Sequence, residues 1–392
     1  MNILYIVHDL NDAAVKRRVA MLEVGGAQVT VVGFYRGTAA FDINENVISL
    51  GQTHDASFIH RIKSVVKEKL TLQRRFREHH ITHDRFDLIV ARNLDMLALA
   101  VSAKKILHLP LVYECLDIHR FLIHSGVIGH VFRQLEKRLS QHAGLLITSS
   151  QGFVEHYFNP LSLAELPTLV LENKVFSSKP LAAPTPKSLN DGPIIITWNG
   201  AIRCHRSLDI LIQVSRKMAG KVQVVIHGKP AYTEFDDFIS TIANEPYIEF
   251  QGPYVFPDDL ADIYNSAHFN WTLDFFEQGG NSEWLLPNRI YEGGLFALPP
   301  LYRAGNYTAQ TLNNLQIGFA LEGKTNQEIA NHLVTMLQGI DETQYQSLVA
   351  ASKQVPTSRW LFDTTQAEWL VSSLQMFCQQ PDSLSLSEQA QC

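Results

Sequence analysis

Twice along this chain, short apolar runs of strand length alternate with stretches of helical spacing, and the alternation restarts after a break rich in proline, serine and alanine. Continuous apolar runs this short suit strands covered on both faces, the condition of a parallel sheet between helices. In the first half they fall at residues 3–7, 29–34, 87–91, 111–113 and 145–148, with helical spacing at 13–23, 57–78, 94–107 and 129–141. The second series has strands at 194–198, 222–227, 247–250, 268–273 and 298–301, and helices at 207–219, 233–243, 258–265 and 288–296. The expected fold class is α/β, with two Rossmann-like doubly wound domains whose ligands meet the carboxyl ends of the strands. A chain of 392 residues exceeds one typical core. The expected boundaries are 1–175 for the first domain, 176–193 for a linker and 194–358 for the second domain. A last helical stretch follows at 359–380, then a polar, mobile tail at 381–392.

The net charge of −6 argues against general nucleic-acid binding. Cys115, Cys204, Cys378 and Cys392 lie far apart with no C-x-x-C pair, so neither a zinc site nor a disulfide framework is expected. The chain opens on an apolar run that ends at His8 and lacks a basic leader, which reads as a first strand rather than a signal peptide. No apolar stretch approaches the roughly 20 residues of a membrane span. The expected location is the cytoplasm.

Residues 281–300 carry the most chemistry. They read as a glycine-containing loop, a helix started by Pro287 and a short buried strand, with Arg289, Glu292 and Phe296 on one helix face and Glu292 pointing outward. Free N–H groups at a helix start suit a phosphate, and a carboxylate one turn later can accept from ribose hydroxyls. After the first strand of the second series, Asn199-Gly200 marks a turn, and Arg203 and Arg206 precede the helix. The macrodipole gives no structural reason for cations there. A diphosphate leaving group does, because its charge grows during departure. Gly279 and Gly280 allow close backbone approach to such a ligand. No Asp-x-Asp occurs, so no metal and no other cofactor is expected.

The segment Pro287-Asn-Arg-Ile-Tyr-Glu-Gly-Gly294 resembles the P-N-K-hydrophobic-aromatic-E-small donor motif of GT-B glycosyltransferases, in particular the large retaining family 4 and its members that assemble exopolysaccharide repeat units. The resemblance covers most of the chain and is best over 194–320. It implies two domains facing a cleft, the first binding acceptor and the second the donor, with the last helix crossing back onto the first domain. It also implies that Glu292 holds the nucleotide ribose, with Asn288 and Arg289 beside it. The family often has a second Glu eight residues earlier; that slot is Trp284 here, with Glu283 one place away. Arg206 matches the diphosphate-binding Lys of the family's glycine-plus-basic loop, Gly200 its glycine, and Arg203 is offset from the usual Arg. His227-Gly228-Lys229-Pro230 falls where family members bind the nucleobase region.

Tyr113-Glu-Cys-Leu-Asp-Ile-His-Arg120 resembles the family's Y-D-x-H-acidic segment, which places His119 on the transferred sugar and Arg120 where an acid is usual. For an inverting reaction, Asp117 or Glu114 would take the acceptor's proton. The usual glycine pair after the first strand is missing, and Asp12 instead caps the first helix, with Lys16 or Arg17 facing the cleft. Asp12, Arg92, Asn93 and Arg120 are the candidate acceptor contacts.

The expected function is transfer of a sugar from a nucleotide sugar, a UDP-sugar, to a glycan or polyprenyl-diphosphate-linked acceptor in bacterial exopolysaccharide synthesis, retention favoured. A GT-B-fold sugar-nucleotide epimerase and a non-catalytic glycan- or partner-binding relative are the alternatives. Residues 61–80 hold seven Lys/Arg against two Glu, with Ile62, Val65, Val66, Leu70 and Phe76 in partial helical spacing. They read either as a peripheral contact with anionic lipid on the inner face of the plasma membrane or as a solvated surface helix. Phe121-Leu122-Ile123 is a second apolar element suited to a lipid-linked acceptor.

Overall fold

Two open sheets, every strand pair parallel, account for the apolar runs. The computed structural model describes residues 1–38, 46–53, 58–231, 234–235 and 237–379, with 58–67 as backbone alone. The tail read at 381–392 lies outside them. The chain divides into two units, Met1–Glu172 with Asp363–Cys392, and Asn173–Phe362.

The first unit holds strands β1 Asn2–Val7, β2 Gln28–Arg36, β3 Val47–Thr53, β4 Leu88–Arg92, β5 Leu111–Cys115, β6 Leu145–Thr148 and β7 Thr168–Val170. Its helices are α1 Ala13–Val24, α2 Phe58–Glu78, α3 Asn93–Leu107, α4 Arg120–Ile123, α5 Val127–Ser140 and the single turn α6 Gln151–Phe153. The sheet order is β3-β2-β1-β4-β5-β6-β7, so the strand order reverses beside β1 and opens a crevice at the ends of β1 and β4. Ile3, Leu4, Ile6 and Val7 of β1 are wholly buried, as a central parallel strand requires.

The second unit begins with β8 Val175–Phe176 and continues with β9 Ile194–Ile202, β10 Val222–Pro230, β11 Ile248–Gly252, β12 Phe269–Trp271, β13 Pro300–Arg303 and β14 Phe319–Leu321. Its helices are α7 His205–Met218, α8 Phe238–Ala243, α9 Leu260–Asn265, α10 Asn281–Trp284, α11 Asn288–Leu295, α12 Tyr307–Asn314, α13 Asn326–Gly339 and α14 Glu342–Gln354. The order β11-β10-β9-β12-β13-β14 reverses beside β9. Helix α7 shows why these stretches are helical: Leu208, Ile210, Leu211, Val214 and Met218 recur on one buried face, and Ala219 ends it in the left-handed region at φ 47°.

Several expected bounds differ. β15 Leu361–Phe362 pairs with β8, so the last helix, α15 Thr364–Gln379, starts after it rather than at 359. Residues read as a linker are tied to the second unit: Thr185 N donates to Asn265 Oδ1 at 2.8 Å, and Leu189 N to Glu342 Oε2 at 2.7 Å. The helix read at 233–243 starts at Phe238, capped by Asp237, and 232–233 lie outside the described residues. Strands β3, β7, β8, β14 and β15 have no counterpart in the sequence reading, because β7, β8, β14 and β15 are two or three residues long and β3 contains a polar, glycine-broken half.

Candidate active site

In the second unit, the donor candidates gather at the carboxyl ends of β9, β10 and β12 and at the start of α11. Glycines make that edge possible. Gly200 and Gly228 are register partners with φ of 104° and 142°, and a Cβ on Gly228 would lie 1.8 Å from the Gly200 carbonyl oxygen. Beside them Asn199 is buried; its Oδ1 accepts from Thr197 Oγ1 at 2.9 Å and lies 3.1 Å from His227 Nδ1. Burial pulls the His227 imidazole below its ordinary value, which favours the neutral ring at pH 7.

Pro287 is the N-cap of α11 rather than its first helical residue, and Asn288 stands exposed at the helix start. Glu292 does not point outward as expected. It is 5% exposed and accepts from the Tyr264 hydroxyl at 2.7 Å and the Tyr254 hydroxyl at 3.4 Å. Burial, and then the charge of Glu292, push the Tyr264 phenol well up, so it stays a donor. Arg289 is also buried: it donates to Leu273 O at 3.0 Å and Asn199 O at 3.5 Å, clamping the ends of β12 and β9. The two glycines after Glu292 are small because the helix is pressed against its neighbours. A Cβ on Gly293 would meet Asn270 Nδ2 at 2.3 Å, and one on Gly294 the Trp360 ring at 2.4 Å.

Arg203 and Arg206 are half-buried rather than freely solvated. Their guanidinium carbons sit 4.5 Å from the Phe276 ring centroid and 4.3 Å from that of Phe275. Arg206 donates to Asn326 Oδ1 at 2.7 Å, to Lys324 O at 3.2 Å and to Gln278 Oε1. Both cations therefore hold the loop that carries Gly279 and Gly280. Glu283, displaced from the family slot, braces the same loop: one oxygen accepts from Gly279 N at 3.0 Å and the other pairs with Arg303. Asp274 Oδ1 closes it from below, accepting from Phe276 N at 2.9 Å and Ser282 Oγ at 2.7 Å. Among the described residues, no group of three or more His, Cys, Asp or Glu side chains is placed to hold a metal ion.

In the first unit, the ends of β1, β4 and β5 form a second polar edge. Asp12 caps α1, accepting from Ala14 N at 2.9 Å. Asn93 stands at φ 65° and its Oδ1 accepts from Leu116 N at 3.3 Å, joining the loops after β4 and β5. His119 caps α4 by accepting from Phe121 N at 3.3 Å, between exposed Asp117 and exposed Arg120.

Two expectations change here. Arg92 is 3% exposed, donating to the Tyr5 hydroxyl at 2.9 Å and lying 3.5 Å from Glu114 and 3.7 Å from Asp12, so it braces the edge from inside. Glu114 is no free base: Arg18 donates to it at 2.7 Å and the Tyr5 hydroxyl also donates to it. Burial opposes its charge, but Arg18 and Arg92 outweigh burial and hold the carboxyl below its usual range. Asp117 remains the exposed carboxylate of that segment. The sequence reading missed Tyr5, Arg18 and Tyr264. Tyr5 was the one detectable signal, a phenol interrupting an aliphatic strand.

Two all-parallel units, each with its polar side chains at the strand ends beside the reversal of strand order, are the GT-B arrangement. The chain is 43% identical over 384 residues to the succinoglycan biosynthesis protein ExoL of Rhizobium meliloti (strain 1021), covering 95% of this chain and 93% of that one. The chain therefore belongs to the ExoL family of GT-B glycosyltransferases. It is an enzyme that transfers glycosyl groups, which sets aside the epimerase and binding-protein alternatives. Among solved structures it is similar in fold to Anabaena HepE in complex with UDP, with TM-score 0.64, 17% identity and coverage of 96% of this chain and 100% of that one. It is also similar to a glycosyltransferase from Rickettsia africae, with TM-score 0.62, 13% identity and coverage of 98% and 99%. No protein-family model matches the chain.

Proposed function

We propose that this glycosyltransferase takes its sugar from a UDP-sugar and adds it to a growing, polyprenyl-diphosphate-linked glycan in exopolysaccharide synthesis, with retention of configuration. The observation that carries the reading is the buried Glu292 carboxylate, held by Tyr264 at the end of a glycine-lined strand edge. A carboxylate at that edge is suited to the hydroxyl pair of a ribose, the bond an acidic side chain makes in dinucleotide sites. Arg203, Arg206 and the loop with Gly279 and Gly280 stabilise the diphosphate, while Gly200 and Gly228 admit the nucleotide to the strand edge. HepE in its UDP complex and ExoL in succinoglycan biosynthesis support the donor class and the pathway class.

His119 is the group assigned to the transferred sugar, with Asp117 beside it, and Asp12, Asn93 and Arg120 receive the acceptor. Arg206 provides leaving-group charge where a metal would otherwise serve. No helix among the described residues is long and apolar enough to cross a membrane. In this reading the lipid-linked acceptor is met through a peripheral contact at the inner face of the plasma membrane. Release of UDP from UDP-glucose, measured with and without added glycolipid extract, tests the reading. Acceptor-stimulated release supports it, and UDP release indifferent to every glycolipid rejects it.

A further inference from the structure

Helix α5 is amphipathic the wrong way round for a core helix. Its inward residues are Gly129, Glu136 and Ser140, while Val127, Ile128, Val131 and Leu135 are 80%, 50%, 56% and 44% exposed. Spaced at i, i+1, i+4 and i+8, these four aliphatic side chains fall on one arc of the helix. Arg138 lies on the same arc at the end of the helix, His130 and Lys137 run along one side of it, and Arg120 lies exposed on the adjoining α4. Glu136, the helix's one acid, is turned inward, where Tyr157 and Ser162 donate to it at 2.7 Å each. The outward surface is thus aliphatic with a cationic border, on a chain whose net charge is −6.

We propose that this outward face of α5 is a docking surface for an anionic lipid membrane, the aliphatic row entering the headgroup boundary and Lys137 and Arg138 meeting the lipid phosphates. The inference deepens the proposed function, since it rests on the acceptor being lipid-linked and gives the proposed peripheral contact a place. Charge decides the occupant. A symmetric contact between two copies would use this same patch on both sides, and it offers no acid to Lys137 and Arg138 because Glu136 is turned inward. An anionic bilayer offers the opposite sign together with an apolar layer.

The basic helix α2 is a poorer seat over its described half. Leu72 and Phe76 are buried, and Arg75 and Arg74 are spent on Glu68 at 3.2 Å and Glu78 at 3.4 Å, while Ile62, Val65 and Val66 lie outside the described side chains. Docking on α5 also reaches the candidate site. Arg133 of α5 donates to Leu122 O at 2.7 Å and His124 O at 3.2 Å, and the Phe121 and Phe132 rings lie 5.1 Å apart. These contacts fasten α4, with His119 at its cap, onto the lipid-facing helix.

The test is co-sedimentation of the full chain with vesicles of equal parts phosphatidylglycerol and phosphatidylcholine. The parent and the conservative Val127→Leu/Val131→Leu variant should bind. Val127→Asp/Val131→Asp should lose about tenfold or more in partitioning, since one buried aliphatic side chain is already worth that much. Neutralising Arg74, Arg75 and Arg77 to Gln should leave binding within about twofold. A parent that ignores the vesicles, an Asp variant that binds like the parent, or loss confined to the α2 variant overturns the proposal. A dimer in light scattering that the Asp variant dissociates also overturns it, in favour of a second copy. Titration of the parent with UDP is read separately, so failure at the membrane leaves the donor-site reading intact, and the converse.

Discussion

Gly228 faces Gly200 so closely across β9 and β10 that a Cβ on the first would stand 1.8 Å from the carbonyl oxygen of the second. Backbone, not a flexible side chain, blocks that space, and φ at Gly228 is 142°. Gly228→Ala should therefore force the strand ends apart and cost about 3 kcal/mol or more, beyond the 1–2 kcal/mol of a left-handed residue alone. Gly279→Ala, at φ 81° with nothing within 4 Å, should cost only about 1–2 kcal/mol. Urea denaturation of the two variants checks the contrast; equal losses would show that the approach at Gly228 is not what its position demands.

The Glu292–Tyr264 pair predicts a graded loss of donor affinity. Glu292→Ala should weaken UDP binding by about 1.5–3 kcal/mol, the worth of a hydrogen bond to a charged group. Tyr264→Phe keeps the ring stacked on Phe296 and should cost about 1 kcal/mol. Calorimetric titration with UDP is the measurement, and unchanged affinity in the Glu292 variant would remove the ribose assignment.

Arg206 carries two consequences. Turnover should persist in EDTA, while Arg206→Ala should lower kcat by about a hundredfold through poorer stabilisation of the departing diphosphate. Because Arg206 also ties Gln278 and Asn326 together, limited proteolysis should cut the variant near Gly279 faster than the parent. Activity abolished by EDTA and restored by Mg²⁺ would reject the metal-free reading.

Glu114 ties stability to pH. Its folded carboxyl titrates below the usual range, so the unfolded chain takes up the proton first. The stabilisation is complete above the unfolded value of about 4.3 and is lost as pH falls through the folded value beneath it. Glu114→Gln leaves Arg18 buried without its anion and Arg92 with only Asp12, and should destabilise the first unit by about 3–5 kcal/mol at neutral pH. Thermal melts from pH 7 down into the acid range should show the gap between parent and variant closing as pH drops; a gap independent of pH would contradict the linkage.

Local pattern carries far in this chain. The buried runs at 3–7 and 88–91 announce parallel strands because covering both faces removes polar alternation from the strand itself. The Pro287–Gly294 segment announces a nucleotide-type helix because its start, its carboxylate and its small residues are all neighbours in sequence. What surrounds a side chain is different, since distant segments supply it. Nothing near Glu114 reveals that Arg18, ninety-six positions away, will claim it as partner. Arg92 reads as a loop cation until β1 brings Tyr5 against it, and Glu283 as an offset motif residue until β13 delivers Arg303. Helical spacing at α5 was legible, but which arc of that helix the unit would cover was not. Periodicity sets the separation of the faces, and the packing of α3 and α4, together with Tyr157 and Ser162 reaching Glu136, turns the aliphatic face outward.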